Sequence, residues 1–600
     1  MNATAFSSSP WYQAATLTER LAALRVAGSP STAAELQADL GQQELQRWRS
    51  QPPFGEDRFF EQRLAADGLT QQEMLRILGE PIQVVGERWP APPDWLARMH
   101  QAFACPRPPE TSPFSADEEA PEMAAFLDMI EPLITQGRQE VRHGAAALAG
   151  ERLSVPFDPA TVEEVLFKNL PWQLCRLMDR TLVLELHVAR IQGLLQGETP
   201  SERFASFHER LRHPEPARAF LEEYPVLARQ LVLAIDHWVR FSLEFLRHLA
   251  EDWDAIRELF HPSSDPGLLA EVEGNAGDSH RGGRAVLVAR FASGFRLVYK
   301  PKSMAVDRHF QDLLAWVNER DDRLPFRILK ILDLEDHGWV EFIEARSCSS
   351  TAEVERFYER QGGYLALLYA LEAMDFHCEN LIAAGEHPVL IDLEALFHPR
   401  TERPDLSHAD AAAWDRITHS VLNVSLLPQR IWAGDDPQGV DISGIGAKGG
   451  QLTPHPVPQW EEVGTDAMRF TRQRVEMPAD ANRPLVGGAD VEVMDYAEFI
   501  VKGFTRVYRL LERSRDELLA DAGPLARFAD DEVRVIMRAT QLYSVLRSES
   551  FHPDVLRNAL DRDRLFDRLW IGIDQNPNLA RVIPSERDDL WQGDIPMFTT

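Results

Sequence analysis

Near residue 260 the spacing of apolar residues changes, and with it the kind of structure the chain can build. From 16 to 250, segments such as TLTERLAALRVAG, QQEMLRILGE and EMAAFLDMIEPLITQGRQEVRHGAAALAG repeat apolar residues at three and four, the period of amphipathic helices. LVLAIDHWVRFSLEFL, interrupted by Asp236, His237 and Arg240, is too polar to span a bilayer and reads as a buried helix. Proline-rich stretches at 88–95 and 105–113 mark loops or a subdomain joint. After FHPSSDPG (260–267) the pattern becomes strand-like. RAVLVARFASGFRLVYKPKS (284–303) predicts two strands turning at Ser293–Gly294. A helix follows in DRHFQDLLAWVNER, then strand-like FRILKILDL and GWVEFIEA, then the long helical run TAEVERFYERQGGYLALLYALEAM. Six hundred residues exceed what one core usually serves. The expected class is α+β, in three parts. Residues 1–265 are helical with a joint near 105–120, 266–345 carry a small antiparallel sheet, and 346–600 form a helical half. Glycine-rich loops at 432–460 and 477–490 are too long to be plain connectors.

Composition narrows the function. Ninety-four acidic against 63 basic residues leave a net charge of -31, spread along the chain, which argues against binding nucleic acid through its backbone. ATP is not excluded, because a few placed cations and a metal suffice for it. Cys105, Cys175, Cys348 and Cys378 are far apart and form no CxxC pair, so neither a disulfide framework nor a structural zinc site is expected. The start, MNATAFSSSPWYQ, has no basic segment followed by an apolar run. A cytoplasmic protein without a membrane span is the expectation.

The chemistry concentrates in DFHCENLIAAGEHPVLIDLE, residues 375–394. Phosphoryl transfer from ATP requires a cation on the phosphates, oxygen ligands for magnesium, and an acid to take the hydroxyl proton. Protein kinases place a catalytic Asp five residues before a metal-binding Asn, with a second Asp a short hairpin later. Here Asp375 precedes Asn380 by five, and Asp392 follows the turn AAGEHP. Glu394, two positions on, shares the face of Asp392. Lys300 closes the second strand of the earlier hairpin, where a kinase-type lysine belongs. Before that hairpin, GNAGDSHRGGR offers backbone amides to phosphates, although it lacks the GxGxxG spacing. The D-x-H-x-x-N form is closer to lipid kinases than to protein kinases.

These motifs, with several others, resemble the dehydratase part of class II lanthipeptide synthetases, the LanM family. The resemblance rests on GDSHRGGR, LVYKPKSMAVDRHFQDLLAWVN, MDFHCENLIAAGEHPVLIDLEALF, DISGIGAKGGQLTPHPVPQWEEVGTDAMR, VRVIMRATQLY and GDIPMFTT, in the family order from about 275 to 600. It implies a bilobal, lipid-kinase-like core in which 266–345 is the N-lobe and 346–600 the C-lobe with an elimination segment. The implied function is ATP-dependent phosphorylation of Ser and Thr in a ribosomal precursor peptide (a leader plus a core), then loss of phosphate to give dehydroalanine or dehydrobutyrine. By the same resemblance Lys300 holds ATP phosphates, Asp375 and His377 serve phosphorylation, and Asn380 and Asp392 bind Mg2+. Glu394 matches a further acidic position. Asp278, His280, Arg534 and Thr540 match positions of the elimination half-reaction. Family members continue into a zinc-dependent, LanC-like cyclase. No cysteine follows Cys378, so that domain is expected to be missing or separate.

The residues themselves support the elimination assignment. A base must take the α-proton, and cationic donors must receive the leaving phosphate. If VRVIMRAT is extended, Arg534, Arg538 and Thr540 share a face, and Thr540 is placed to cap a helix at QLYSVLR. Lys302 and Arg296 are expected to be solvated charges, and Cys378 to pack as a small apolar group. Two other readings stay open: a lipid-kinase-like peptide or small-molecule kinase that stops at the phosphorylated product, and an inert pseudokinase scaffold. Intact Lys300, Asp375, Asn380 and Asp392 argue against the scaffold.

Overall fold

The computed structural model describes residues 9–27, 37–104, 123, 125–152, 154–262, 264–274, 277–399, 416–432 and 439–600. The proposed joint at 105–120, Cys105 and part of the 432–460 loop therefore lie outside the described residues. The described residues form a mixed helical and sheet fold with one five-stranded antiparallel sheet and several two-stranded ones. The helical period up to residue 250 is realised as helices, among them α1 (Pro171–Ile191) and the 36-residue α2 (Pro225–Phe260). At 1.5 Å per residue α2 is about 54 Å long. Its buried stripe includes Leu231, Ile235, Trp238, Phe245 and Leu249. It ends at His261, which takes a left-handed conformation. No helix among the described residues is long and apolar enough to cross a membrane.

The sheet uses five strands: β1 (Leu269–Glu273), β2 (Leu287–Phe291), β3 (Arg296–Lys300), β4 (Ile331–Asp333) and β5 (Gly338–Glu341). Their spatial order is β1-β2-β3-β5-β4, every pair antiparallel. The β2–β3 hairpin falls where the sequence predicts it. The extra strand β1 is not expected from its residues, because LAEVE is short and carries two glutamates in five residues. Between β3 and β4 runs helix α3 (Ala305–Arg320). The alternation of side chains along β3 decides which residue faces which layer. Tyr299 is fully buried against α2, with Phe245 at 5.3 Å between ring centres and its hydroxyl 2.7 Å from His248 Nδ1. The neighbouring Lys300 therefore projects from the opposite face.

That opposite face meets α4 (Thr351–Ala370) and the hairpin of β6 (Leu381–Ala384) with β7 (His387–Leu390). Ser350 caps α4 by accepting from Glu353 N, which satisfies one orphan amide of the first turn. Helix α5 (Ala497–Arg513) crosses α4 so closely that only glycine fits. A Cβ on Gly362 would lie 1.9 Å from Ile500 O, and one on Gly503 1.8 Å from Glu359 O.

Three hydrophobic clusters result. The largest unites the N-terminal helices, one face of the sheet and residues 543–595. The second gathers α3, α4, the β6–β7 hairpin and α5, and a small third packs Met304, Leu329, Val340, Ile343 and Val389. Buried polar links stitch the chain's C-terminal residues to its first helices. Asp567 accepts from Trp48 Nε1 and pairs with Arg63, each at 2.7 Å, and Asp563 accepts from Leu17 N at 2.7 Å.

Candidate functional site

Asp375 follows α4 through a short turn and takes a left-handed conformation (φ 72°), which Asp tolerates better than most residues. The loop is pinned on several sides. Phe376 N donates to Val424 O, Cys378 N to Ile442 O, and Asn380 Nδ2 to Asp375 O at 2.8 Å. With its nitrogen committed, the Asn380 side chain has its oxygen left to face a ligand. His377 lies between two acids, 3.9 Å from Asp375 Oδ1 and 3.8 Å from Glu379 Oε2. The hairpin β6–β7 then returns the chain so that Ile391 N donates to Asn380 O, which sets Asp392 beside Asn380.

From the sheet, Lys300 Nζ reaches Ile391 O at 2.5 Å and lies 3.9 Å from Asp307, an acid that nothing in its sequence surroundings singles out. Lys302 is not the solvated charge expected of it. Its ammonium lies 3.1 Å from Asp392 Oδ1 and pairs with Glu394 Oε2. Two residues from Lys300, it projects on the same side of the chain, towards the carboxylates. Burial alone would lower its pKa, but Asp392, Glu394 and Asp307 outweigh burial and hold the ammonium well above its usual range. Arg296 stays at the sheet surface, over the Phe342 ring and paired with Glu344.

Glu394 joins two sets of residues. While Lys302 takes Oε2, Arg534 Nη1 donates to Oε1 at 2.6 Å, and Arg534 N donates to Glu394 O. Burial would raise this carboxyl, yet Lys302 and Arg534 keep it well below the usual carboxylate range. Arg534 also donates to Thr540 Oγ1 at 3.3 Å. Asp375 shifts the other way. Burial raises its pKa, His377 and Arg534 partly offset this, and Asp392 and Glu394 add to it.

Two expectations for this segment are corrected. VRVIMRAT is extended only at β14 (Arg534–Val535, as β8 to β13 fall between Arg430 and Asp490), so Arg538 does not share the face of Arg534. It turns inward, donating to Glu586 at 2.8 Å and Leu569 O at 2.6 Å. Thr540 does not cap the next helix, α6 (Thr540–Glu549). It is the first helical residue, Ala539 holds the cap position, and no side chain caps it.

The glycine-rich turn stands beside Arg534, and the amides of Gly282 and Gly283 are already taken. Asp594 accepts from Gly282 N at 2.6 Å and from Gly283 N at 3.1 Å. Gly282 and Gly283 have φ of 91° and 81°, and a Cβ on Gly283 would meet His237 at 2.7 Å, so both positions require glycine. This corrects the expectation of a phosphate-cradling loop at these two amides: a carboxylate of the chain itself sits where an anion would. The same C-terminal segment fixes His280. Ile595 N donates to Ser279 O, and His280 Nδ1 lies 2.7 Å from Ile595 O. A carbonyl only accepts, so Nδ1 carries the proton and Nε2 is left with a free lone pair. Burial lowers the His280 pKa, and nearby Arg534 lowers it further. Asp278 faces Arg547 at 3.8 Å. The segment ends as β15 (Phe598–Thr599), paired with β14.

The structure thus brings Lys300, Asp375, His377, Asn380, Asp392, Glu394, His280, Arg534 and Thr540 into one region, with Asp278 at its margin. Sequence reasoning missed Lys302, Asp307 and Asp594. Each lies in a block that carries the resemblance, Lys302 and Asp307 in LVYKPKSMAVDRHFQDLLAWVN and Asp594 in GDIPMFTT. Comparison with known proteins agrees in extent. A family model described as a domain of unknown function, DUF4135, matches residues 224–600, and the chain belongs to that family. The lacticin 481/lactococcin biosynthesis protein LcnDR2 of Lactococcus lactis subsp. lactis is 25% identical over 472 residues, 75% of this chain and 48% of the relative. The chain therefore spans about half the length of that curated relative.

Proposed function

We propose that this chain is a Ser/Thr dehydratase of lanthipeptide biosynthesis, built on a bilobal, lipid-kinase-like core. In this reading a precursor peptide is phosphorylated at the expense of ATP and then loses the phosphate. The shared carboxylate of Glu394 carries the proposal, because it binds Lys302 of the phosphorylating set and Arg534 of the eliminating set at once. A relative named for lacticin 481 biosynthesis supports the substrate class.

The donor set fits magnesium and phosphate. Asn380 and Asp392 offer hard oxygens, and Lys300 is a buried ammonium on the adjoining strand. Bound Mg2+ would neutralise phosphate charge. Glu394, whose two oxygens hold Lys302 and Arg534, ties the halves together and reaches a metal only after Lys302 withdraws.

In the first half, Asp375 accepts the proton of the Ser or Thr hydroxyl as its oxygen bonds to phosphorus and ADP leaves. The raised pKa of Asp375 makes it a better base than a solvated aspartate. His377 beside it orients the carboxylate. In the second half, His280 Nε2 takes the α-proton, the Cα–Cβ double bond forms, and the Cβ–O bond breaks. The phosphate departs onto Arg534 and Thr540, the guanidinium offering a fork to its oxygens. Mass spectrometry of a co-expressed precursor peptide tests the whole reading. Net loss of water supports it. A stable gain of phosphate supports instead a kinase without elimination, and an unchanged peptide supports a scaffold.

A further inference from the structure

A cluster of arginines borders the site beyond Asp278. On α1, Arg176 and Arg180 are one turn apart and share a face. Arg180 lies over the Phe470 ring at 4.5 Å and donates to Ser548 O and Oγ, both at 2.9 Å. Phe470 belongs to β11 (Arg469–Gln473), which pairs with β10 (Val457–Glu461). Arg472 is two residues along from Phe470 and projects on the same side of that hairpin, towards Arg180. Arg547, adjoining Ser548 on α6, reaches back to Asp278. The four guanidinium groups thus follow a track from the β10–β11 hairpin, across α1, to the turn that carries His280.

The charges on this track are unbalanced. Arg176 and Arg472 are exposed and make no ion pair with a described residue. The acids nearby are Asp179, whose pKa burial pushes up to about 6, Asp278, Glu549, which is already paired with Arg568, and Asp594, which already accepts from the Gly282 and Gly283 amides. Burial lowers the proton affinity of Arg180; Asp179 offsets part of this, and the neighbouring Arg472 and Arg176 lower it further. Burial likewise acts on Arg547, with Asp278 and Asp594 offsetting it in part and Arg176 adding to it. Gathering like charges is costly, and in a chain of net charge -31 acids were plentiful to quench them. The cost falls when carboxylates of another molecule settle among the guanidiniums, whose planar forks match them.

We propose that Arg176, Arg180, Arg472 and Arg547 form a docking surface for acidic side chains of the peptide substrate. The track runs over α1, the β10–β11 hairpin and α6, with Arg176 and Arg472 exposed, a layout suited to an extended chain rather than to a single phosphate. It ends at Asp278 and His280, so a peptide held by its acids presents the adjoining Ser or Thr to the reacting groups. The role as a substrate surface rests on the dehydratase reading; the binding itself does not.

The test is fluorescence anisotropy with a short labelled Glu–Gly peptide that lacks Ser and Thr, compared with its Gln–Gly counterpart. Wild-type protein binds the acidic probe, and added salt weakens the complex. The double variant Arg176→Glu/Arg472→Glu, altered only at exposed side chains, binds it roughly tenfold less tightly. Circular dichroism verifies its fold. Arg509→Glu, an exposed change on α5, leaves affinity unaltered. Equal affinity in wild type and double variant overturns the proposal. So does equal binding of the Gln–Gly peptide, or an equal loss in Arg509→Glu. Because the probe has no reactive residue, binding registers whether or not the chain dehydrates anything. A chain that binds the probe but never dehydrates would sink the reaction and leave the surface standing.

Discussion

The two halves of the proposed site are assembled in opposite ways. Asp375, His377, Asn380 and Asp392 lie within residues 375–392, and one hairpin of two four-residue strands sets their spacing. His280, Arg534 and Thr540 come from distant segments: main-chain pairing with residues 595–600 holds the first two, and Arg534 donates to Thr540. The local centre takes its spacing from one hairpin, with Val424, Ile442 and Lys300 bracing it from outside. A distributed centre inherits the fragility of every segment that frames it.

Four experiments break or sharpen this contrast. The largest effect is expected for Asp375→Ala, which removes the base of the local half. Phosphate transfer should fall on the order of 10³-fold, and water loss with it, as followed by mass spectrometry with ATP and Mg2+. Near-normal phosphopeptide formation would take Asp375 out of the first step. Arg534→Ala comes next. Elimination from a peptide already phosphorylated should slow by roughly 10²-fold, so that phosphopeptide accumulates. Dehydration at the normal rate would end the elimination assignment.

Asp594→Ala tests whether the frame of the distributed half matters. It leaves the Gly282 and Gly283 amides without their acceptor, a cost of about 1–3 kcal/mol. Elimination should drop about tenfold while phosphorylation stays within about threefold, and Asp594→Asn, which keeps one acceptor oxygen, should lie between. A parallel fall in both half-reactions would make the segment a general brace instead. The smallest effect concerns pH. The folded pKa of His280 lies below the ordinary histidine value of about 6.5. The neutral base therefore persists as pH falls, and the acid limb of elimination should lie below that value. The unfolded chain takes the proton first, so the stability tied to His280 is present above about pH 6.5 and declines below it. An elimination profile that already falls above pH 7 would exclude His280 as the base.

Legibility in the sequence divides along the same line. The change of period near 260, the β2–β3 hairpin and the ordered set Lys300, Asp375, Asn380 and Asp392 could be read directly, because spacing along the chain is spacing in space when one hairpin or one strand carries it. His280 was visible only through resemblance, and Arg534 and Thr540 through resemblance backed by their phosphate-binding chemistry. Nothing in GDSHRGGR announces that Asp594, more than three hundred residues away, fills its amides. Lys302 and Arg538 were misjudged because burial and partners are tertiary properties. A lone basic residue such as Lys302 reads as solvated until the fold brings a carboxylate to it, and the face drawn for Arg538 is lost where the strand ends at Val535.

The pairing of residues 594–600 with both the glycine-rich turn and Arg534 also bears on when activity begins. These residues are synthesised after everything they hold in place. A nascent chain can fold its local centre early, since a domain condenses as its own segments emerge. Its distributed centre stays open until the strand at Phe598–Thr599 has been made and has closed. Translation itself then imposes an order, in which the proposed eliminating centre matures after the proposed phosphorylating one.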